Sequence, residues 1–245
     1  NTKSQAGSYT LKNKIDMTES FTLTGKINLG DAYEGHTNGH EGGDGVAAVF
    51  STANPGVIGN AKGNGSGGSL GMGGDNLKGS FGFKLDTWHN TSAPDKDNKA
   101  SADPGAVRGG GAFGGYIYNY NGSNAAARGT VYPVIRTFKK LNESPTENKL
   151  KDYKVTYDGR TKQMTVTYNG QIWSMNLQSE KIATSGDMFV DGRPVNTNAL
   201  KFENTKRSLL DNAGNPEERA LAIFASTGSG TNLQQFRLEK FEYSA

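Results

Sequence analysis

The chain has 245 residues, no cysteine and a formal net charge of +3, with 27 Lys and Arg residues against 24 Asp and Glu residues. The lack of cysteine excludes disulfides, thiolate metal sites and a cysteine nucleophile, and the scattered charges argue against nucleic acid as a partner. No apolar run approaches the roughly 20 residues that cross a bilayer, so no membrane insertion is expected.

Short alternating or continuous apolar runs, separated by turn residues, predict an all-β chain. In chain order the predicted strands are 8–17, 21–29, 46–50, 80–88, 112–120, 131–138, 151–157, 163–168, 171–177, 220–226 and 235–243. Asn169-Gly170 is a strong hairpin signal, so strands 151–157, 163–168 and 171–177 are expected to form a meander. Residues 205–219 leave room for one short helix. A β-sandwich of two antiparallel sheets is the economical architecture, and residues 1–245 are expected to form one domain.

Asn1 begins no signal peptide, so the sequence is expected to be a mature segment excised from a longer chain. Glycines cluster on both sides of the predicted strand 46–50, in 42–45 and again in 63–74. A phosphate-binding loop would need a helix after the glycines, and no helix is predicted there. Glycine also lets backbone N–H groups approach a ligand closely, which favours a small polar ligand.

Asp86, Trp88, Asn90 and Asp103 read as one calcium-binding loop. Two carboxylates, a backbone carbonyl and a carboxamide offer oxygen atoms, which are the ligands that calcium prefers. The two-residue spacing of Asp86, Trp88 and Asn90 places them on one side of an extended chain. The alternative is that Asp and Asn only accept local hydrogen bonds, as they do in most turns.

The histidines offer a weaker metal signal. His36 and His40 have the spacing of two zinc ligands on a helix, but the glycines between and before them argue for a surface loop. His89 should point away from a cation bound by Asp86 and Asn90, because it alternates with them.

Four motifs in order resemble the legume-type (L-type) lectins: Gly43-Asp-Gly-Val-Ala-Ala-Val-Phe50, Gly67-Gly-Ser-Leu-Gly71, Leu85-Asp-Thr-Trp-His-Asn90 with Asp103-Pro104, and Ala225-Ser-Thr-Gly-Ser-Gly-Thr-Asn232. The resemblance covers nearly the whole chain and is greatest to the lectin modules of staphylococcal-type cell-wall adhesins. It implies a jelly-roll sandwich with a flat back sheet, a curved front sheet and a sugar site in loops above the front sheet.

The resemblance also implies the role of each site residue. Calcium would be ligated by the carboxylates of Asp86 and Asp103, the Trp88 carbonyl and the Asn90 side-chain oxygen. The sugar would be bound by the remaining candidates, namely the Asp44 carboxylate, the N–H of Gly67 or Gly68, the Asn90 amide, the Trp88 ring and the loop containing Gly228 and Ser229. The Trp88 ring either stacks on the sugar or packs against the loop.

Two departures from the plant lectins change these expectations. A Glu and a His that help bind a second, transition metal in those proteins are replaced by Lys84 and Arg108. A positive charge there repels a cation and neither side chain ligates one, so calcium alone is expected. Residues 91–102 form an insertion whose composition suits an exposed loop at the rim of the site.

Hydrolases with a similar sandwich are the enzyme alternative, and they carry a Glu-x-Asp-x-x-Glu pattern for acid and nucleophile. Lys84 and His89 stand at the two Glu positions here, so no enzyme is expected. The sequence therefore indicates an extracellular, wall-anchored adhesin module that binds host glycans or glycoproteins with calcium, with expected parts in biofilm formation and virulence. A calcium-stapled, protein-binding or structural sandwich is the alternative.

Overall fold

The computed structural model describes residues 6–36, 45–55, 70–92, 94, 99–122, 125, 127–182, 189–190, 193–194, 207–226 and 234–244. Within these residues no helix is long and apolar enough to cross a membrane. The strands are β1 Ala6–Thr10, β2 Ile15–Asp16, β3 Phe21–Asn28, β4 Gly45–Ser51, β5 Phe81–Asp86, β6 Phe113–Asn119, β7 Val131–Pro133, β8 Lys139–Lys140, β9 Lys151–Asp158, β10 Gln163–Tyr168, β11 Gln171–Asn176, β12 Phe189–Val190, β13 Arg193–Pro194, β14 Glu218–Ser226 and β15 Gln235–Tyr243.

Two antiparallel sheets account for most of these strands. The larger sheet has the order β1-β14-β4-β5-β6-β7, with β2 beside β14 and β8 beside β6. The smaller sheet has the order β11-β10-β9-β3-β15. The predicted jelly-roll sandwich is confirmed, and so is the meander, because β10 pairs with both β9 and β11. The short pair β12 and β13 was not predicted.

The space between the sheets is filled by alternate residues of their strands. The shared core is formed by the inward-facing apolar side chains, which include Phe21, Leu23, Phe50, Phe81, Phe83, Leu85, Tyr116, Tyr157, Val166 and Trp173. A second buried cluster lies on the opposite face of the larger sheet and includes Val49, Leu70, Met72, Val107, Phe113, Phe138 and Phe224. The smaller sheet therefore covers one face of the larger sheet and loops cover the other, so the outer face can carry a buried site.

Two predicted strands are interrupted in the structure. The stretch 8–17 is split into β1 and β2, which both pair with β14 but at different positions. The stretch 131–138 becomes β7, a 3-10 helix at Ile135–Thr137 and then β8. Pro133 ends β7, and the Thr137 hydroxyl, rather than a backbone carbonyl, accepts a hydrogen bond of 2.9 Å from the Tyr116 N–H. A side chain thus replaces one ladder bond of the sheet.

The expected short helix is present as α1, Leu209–Asn212. Its capping box joins Ser208 and Asp211: the Ser208 hydroxyl accepts from the Asp211 N–H at 3.1 Å, and an Asp211 carboxylate oxygen accepts from the Ser208 N–H at 3.0 Å. This helix is shorter than the predicted window, because β14 already begins at Glu218.

Arg219 lies in the core although its guanidinium has no hydrogen-bond partner among the described residues. It rests over the Phe81 ring at 5.0 Å, and burial lowers its pKa to about 10. Arg219→Met is expected to hold or raise the free energy of unfolding by about 1–2 kcal/mol, because a buried charge without acceptors costs more than an apolar side chain of similar length.

Urea unfolding of this variant, beside the exposed control Arg237→Met, checks the prediction. A loss of stability confined to Arg219→Met would mean that solvent molecules inside the core supply the acceptors for its guanidinium.

Candidate functional site

The alternation of β5 divides its side chains between two environments. Phe81, Phe83 and Leu85 enter the core between the sheets, so Lys84 and Asp86 lie together on the opposite, loop-covered face. The strand β5 is paired on both sides, because Lys84 pairs with Ala47 of β4 and with Gly115 of β6. The two charged side chains therefore project from the middle of the larger sheet.

Lys84, Asp86 and Asp103 form one buried ion cluster. The Lys84 ammonium donates to Asp86 Oδ2 at 2.8 Å and to Asp103 Oδ1 at 2.6 Å. The exposed fractions of the three side chains are only 2%, 0% and 5%. Burial opposes the charge on Lys84, but the two carboxylates outweigh it and raise the pKa of the ammonium above its ordinary value. The cluster keeps a single net negative charge.

Three successive backbone N–H groups fix the loop that follows β5. The N–H of Trp88 donates to Asp86 Oδ1 at 2.9 Å, that of His89 to Glu34 Oε2 at 3.0 Å, and that of Asn90 to Asp103 Oδ2 at 2.9 Å. Each aspartate of the ion cluster therefore turns one oxygen toward Lys84 and the other toward the backbone of this loop. The Asp103 N–H closes the arrangement by donating to the Asn90 carbonyl at 2.9 Å.

The loop after β5 offers oxygen atoms, which are the ligands that a hard divalent cation takes. Among the described residues no group of three or more His, Asp and Glu side chains lies close enough to hold a metal, so carbonyl and carboxamide oxygens would have to complete the coordination. Asp86 Oδ1 and Asp103 Oδ2 each accept a backbone hydrogen bond, and a carboxylate oxygen has more than one lone pair. The Asn90 backbone bonds to Asp103, and the side-chain Nδ2 of Asn90 is buried without a hydrogen-bond partner among the described residues.

The sequence placed Lys84 beside the cation site, but its ion pairs with the two aspartates were not predicted. Its ammonium is held by the two aspartates, while Arg108, the other departure, is exposed at the end of a 3-10 helix. Trp88 is half-buried. His89 is buried, and its Nε2 contacts the Pro104 carbonyl oxygen at 3.0 Å.

The insertion 91–102 is only partly the exposed loop that its composition predicts. Thr91 and Ser92 are exposed, but Pro94 is buried, and the backbone from Lys99 onward runs beside β7. The Val131 N–H donates to the Lys99 carbonyl at 2.9 Å, and buried Ala100 bridges to Val131. Main-chain pairing with β7 draws this end of the insertion onto the sheet. Residues 93 and 95–98 lie outside the described residues.

The residues predicted to bind sugar, apart from Trp88 and Asn90, lie outside the described residues: Asp44, Gly67, Gly68, Gly228 and Ser229. His40 lies outside them too, and the His36 ring packs edge-on against Tyr33 at 5.0 Å. One row of paired residues crosses the larger sheet from Ser226 through Gly45 to Asp86 and then Phe113. In sequence, Asp44 comes directly before the Gly45 of this row, and 227–232 comes directly after its Ser226.

The sequence analysis missed the partners of Lys84 and the role of Glu34. The pairing of Lys84 could have been found, because the period of two in β5 places it on the face of Asp86 and a buried ammonium needs carboxylates. Glu34 had no local signal, since it lies far from the loop in sequence. Besides the His89 contact, the Glu34 N–H donates to the Thr87 carbonyl at 2.9 Å, so this residue clamps the loop from a second side.

Comparisons with known proteins agree with this fold. A sequence profile of the L-type lectin domain, described as the legume lectin beta-barrel domain, matches residues 1–191. Lectin I-B4 of Griffonia simplicifolia in its metal-free form superposes with a TM-score of 0.54 at 15% identity over 99% of this chain and 81% of its own. The legume lectin-like domain of Entamoeba histolytica gives 0.51 at 12% identity over 100% and 80%.

The chain belongs to the L-type lectin family, as its motifs predicted. Among curated proteins it is similar to the serine-rich adhesin for platelets of Staphylococcus aureus, with 42% identity over 241 residues, which cover 98% of this chain and 9% of the adhesin. The same adhesin from another strain is 41% identical over 98% of this chain and 15% of its own length. The predicted resemblance to staphylococcal adhesin modules is thus confirmed, although the chain spans a small part of these relatives.

Proposed function

We propose that residues 1–245 form a single lectin domain that binds host glycans through a calcium site beside Asp86 and Asp103, as part of an extracellular, wall-anchored adhesin. The family is one of lectins and the relatives are adhesins, which points to binding rather than catalysis. Host-cell glycoproteins are the expected source of the glycan, because the relatives are named as adhesins for platelets.

The observation that carries the proposal is the row of paired residues across the larger sheet. Ser226, Gly45 and Asp86 are consecutive in it, so the ends of β14, β4 and β5 lie side by side. In sequence, Gly228, Asp44 and the metal loop adjoin these three strand ends. A sugar bound there would be within reach of all three segments. This supports a shared site for the carboxylate of Asp44, the backbone of the 227–232 loop and the residues that follow β5.

Asn90 links the metal to the sugar in this proposal. When bound, calcium would bring oxygen ligands of Asp86, Asp103, Trp88 and Asn90 to one point and fix the loop rim. The Asn90 oxygen would then face the metal, which leaves its amide N–H groups to donate to a sugar hydroxyl. The buried Nδ2 without a partner among the described residues supports this division, because a buried donor is normally satisfied.

The remaining assignments follow from the family. Asp44 would accept hydrogen bonds from two sugar hydroxyls, while Gly67 or Gly68 donates a backbone N–H and Ser229 belongs to the opposite wall. The half-buried Trp88 leaves part of its ring available for stacking on an apolar sugar face. Against a glycosidase, Lys84 is held in an ion cluster and the His89 ring is buried, so neither replaces a catalytic carboxylate.

A glycan array tests the function directly. Glycan binding is expected in the presence of calcium, to disappear with chelator and to return when calcium is restored, because the metal shapes the loop that holds the sugar. The matched variant Asn90→Asp keeps an oxygen for calcium but loses the donor, so glycan affinity should fall by about ten-fold or more while the calcium isotherm is unchanged.

Three outcomes are distinguishable. Failure to bind any glycan, with calcium still bound, would favour the calcium-stapled protein-binding module. Release of sugar from oligosaccharides would favour a hydrolase. A parallel loss of calcium and glycan binding in Asn90→Asp would reduce Asn90 to a metal ligand that does not touch the sugar.

A further inference from the structure

Among the described residues, Lys84 supplies a cation to the proposed metal loop. Its ammonium contacts two carboxylates, one that is two residues away on its own strand and one that is 19 residues away. It also lies 5.5 Å from the centroid of the Phe113 ring and 5.8 Å from that of Phe138. The apolar rings keep water from the ammonium, so its attraction to the aspartates is weakly screened.

The surrounding sheet holds this lysine in place. Gly115 pairs with Lys84 across β5 and β6, and a Cβ added there would lie 2.3 Å from the Phe138 ring. The absence of a side chain at Gly115 therefore makes room for the ring beside the ammonium. The ammonium belongs to a central strand and lies beside two aromatic rings, so its position is fixed by the sheet. The loop carboxylates are attracted to it there.

Each of the two aspartates has one oxygen that faces Lys84 and one that faces the loop backbone. Asp86 Oδ2 and Asp103 Oδ1 face Lys84, whereas Asp86 Oδ1 and Asp103 Oδ2 accept from the backbone N–H groups of Trp88 and Asn90. Each carboxylate thus connects the ammonium to the backbone of the loop. Groups of the chain itself therefore hold the start and the end of this loop.

We propose that Lys84 is a resident cation of the site, which positions Asp86 and Asp103 for a single divalent ion and occupies the side on which a second ion would bind. An ammonium has no lone pair, so it cannot share a ligand role with a metal, and it repels a second cation from the same carboxylate edges. The one-ion stoichiometry rests on the function proposed above, while the positioning of the carboxylates rests on the contacts alone.

The test uses Lys84→Met, which keeps the length of the stem and removes the charge, with the exposed Lys154→Met as control. In chelator, the urea midpoint of Lys84→Met should fall by about 1–2 M, because two buried carboxylates lose their counterion. Calcium should then restore more stability to Lys84→Met than to wild type, because the metal supplies the positive charge that the variant lacks.

Manganese supplies the second measurement. Titration calorimetry of wild type saturated with calcium should show no manganese binding, while Lys84→Glu, which adds a carboxylate on the same side, should take up one manganese ion. Unchanged midpoints and calcium isotherms in Lys84→Met, or manganese binding by the calcium-saturated wild type, would overturn the proposal. Neither readout involves glycan, so both stand if the lectin function fails.

A folding failure is also informative. If Lys84→Met folds only with calcium, the metal has replaced the missing cation, as the proposal requires. If it does not fold at all, the double variant Lys84→Met/Asp103→Asn removes one charge of each sign and should fold again. Failure of the double variant to fold would show that the lysine is needed for packing rather than for its charge, and the proposal would be wrong.

Discussion

Asp103→Ala is expected to lower the free energy of unfolding by about 3 kcal/mol in metal-free buffer, because breaking a buried ion pair leaves uncompensated charge. The variant loses the 2.6 Å contact with Lys84 and the acceptor of the Asn90 N–H at 2.9 Å, and both lie where water has little access. Removal of either partner of an ordinary surface pair has a far smaller effect. Calcium binding should be lost together with the stability.

The matched control is Asp152→Ala, which breaks an ion pair with Lys26 on the smaller sheet. The side chain of Asp152 is 84% exposed, so no measurable change in stability is expected. Urea unfolding of the two variants in chelator and in calcium provides the comparison. Equal, small effects would show that solvent screens the cluster around Lys84, contrary to its burial.

The meander β9 to β11 shows which parts of the fold the sequence determines locally. Asn169 and Gly170 have φ values of 48° and 81°, which Asn and Gly tolerate better than other residues, and the flanking strands alternate between apolar and polar. Both signals lie within a few residues of each other. Register and turn could therefore be predicted without knowledge of the second sheet.

The break after β7 shows the opposite case. The stretch 131–138 has the composition of a strand, yet the Thr137 hydroxyl takes the place of a backbone acceptor for Tyr116. Tyr116 belongs to β6 and lies 21 residues before Thr137 in sequence. Tertiary contacts of this kind override local propensity, and a single sequence does not display them.

The candidate site divides in the same way. The spacing of Asp86, Trp88 and Asn90 and the identity of Asp103 were sufficient to predict a loop with convergent oxygens, and the structure brings the two aspartates together. The ion pairs of Lys84 were not predicted, because its charge was weighed against an ion rather than against the neighbouring carboxylates. Glu34 could not be predicted, since its contacts with Thr87 and His89 depend on how a distant segment folds back.

Buried charge and backbone hydrogen bonds together explain how the loop could be preformed. Lys84 neutralises part of the charge of Asp86 and Asp103. Between these two aspartates in sequence, the His89 N–H donates to the Glu34 carboxylate. A loop that is ordered before the metal arrives loses less conformational entropy on binding, which favours affinity without further ligands. A sugar site built beside it would gain from the same order.

Asp44→Ala is expected to abolish glycan binding and to leave both the fold and the calcium isotherm near wild type. Asp44 lies outside the described residues, but it is followed by Gly45, which pairs with Asp86 at the start of the metal loop. A carboxylate that accepts from two sugar hydroxyls makes charge-assisted hydrogen bonds, and its loss should weaken glycan affinity by about 100-fold or more.

This pattern separates Asp44 from the metal ligands, since Asp103→Ala should lose calcium and glycan together. Calorimetry with the best glycan from the array, at saturating calcium, measures the difference, and Asp152→Ala again serves as an exposed acidic control. Because the urea midpoint of Asp44→Ala should match that of wild type, a loss of glycan binding cannot be assigned to unfolding. Glycan binding retained by Asp44→Ala would place the sugar away from the strand ends at Ser226, Gly45 and Asp86. The lectin geometry implied by the family would then not apply to this chain.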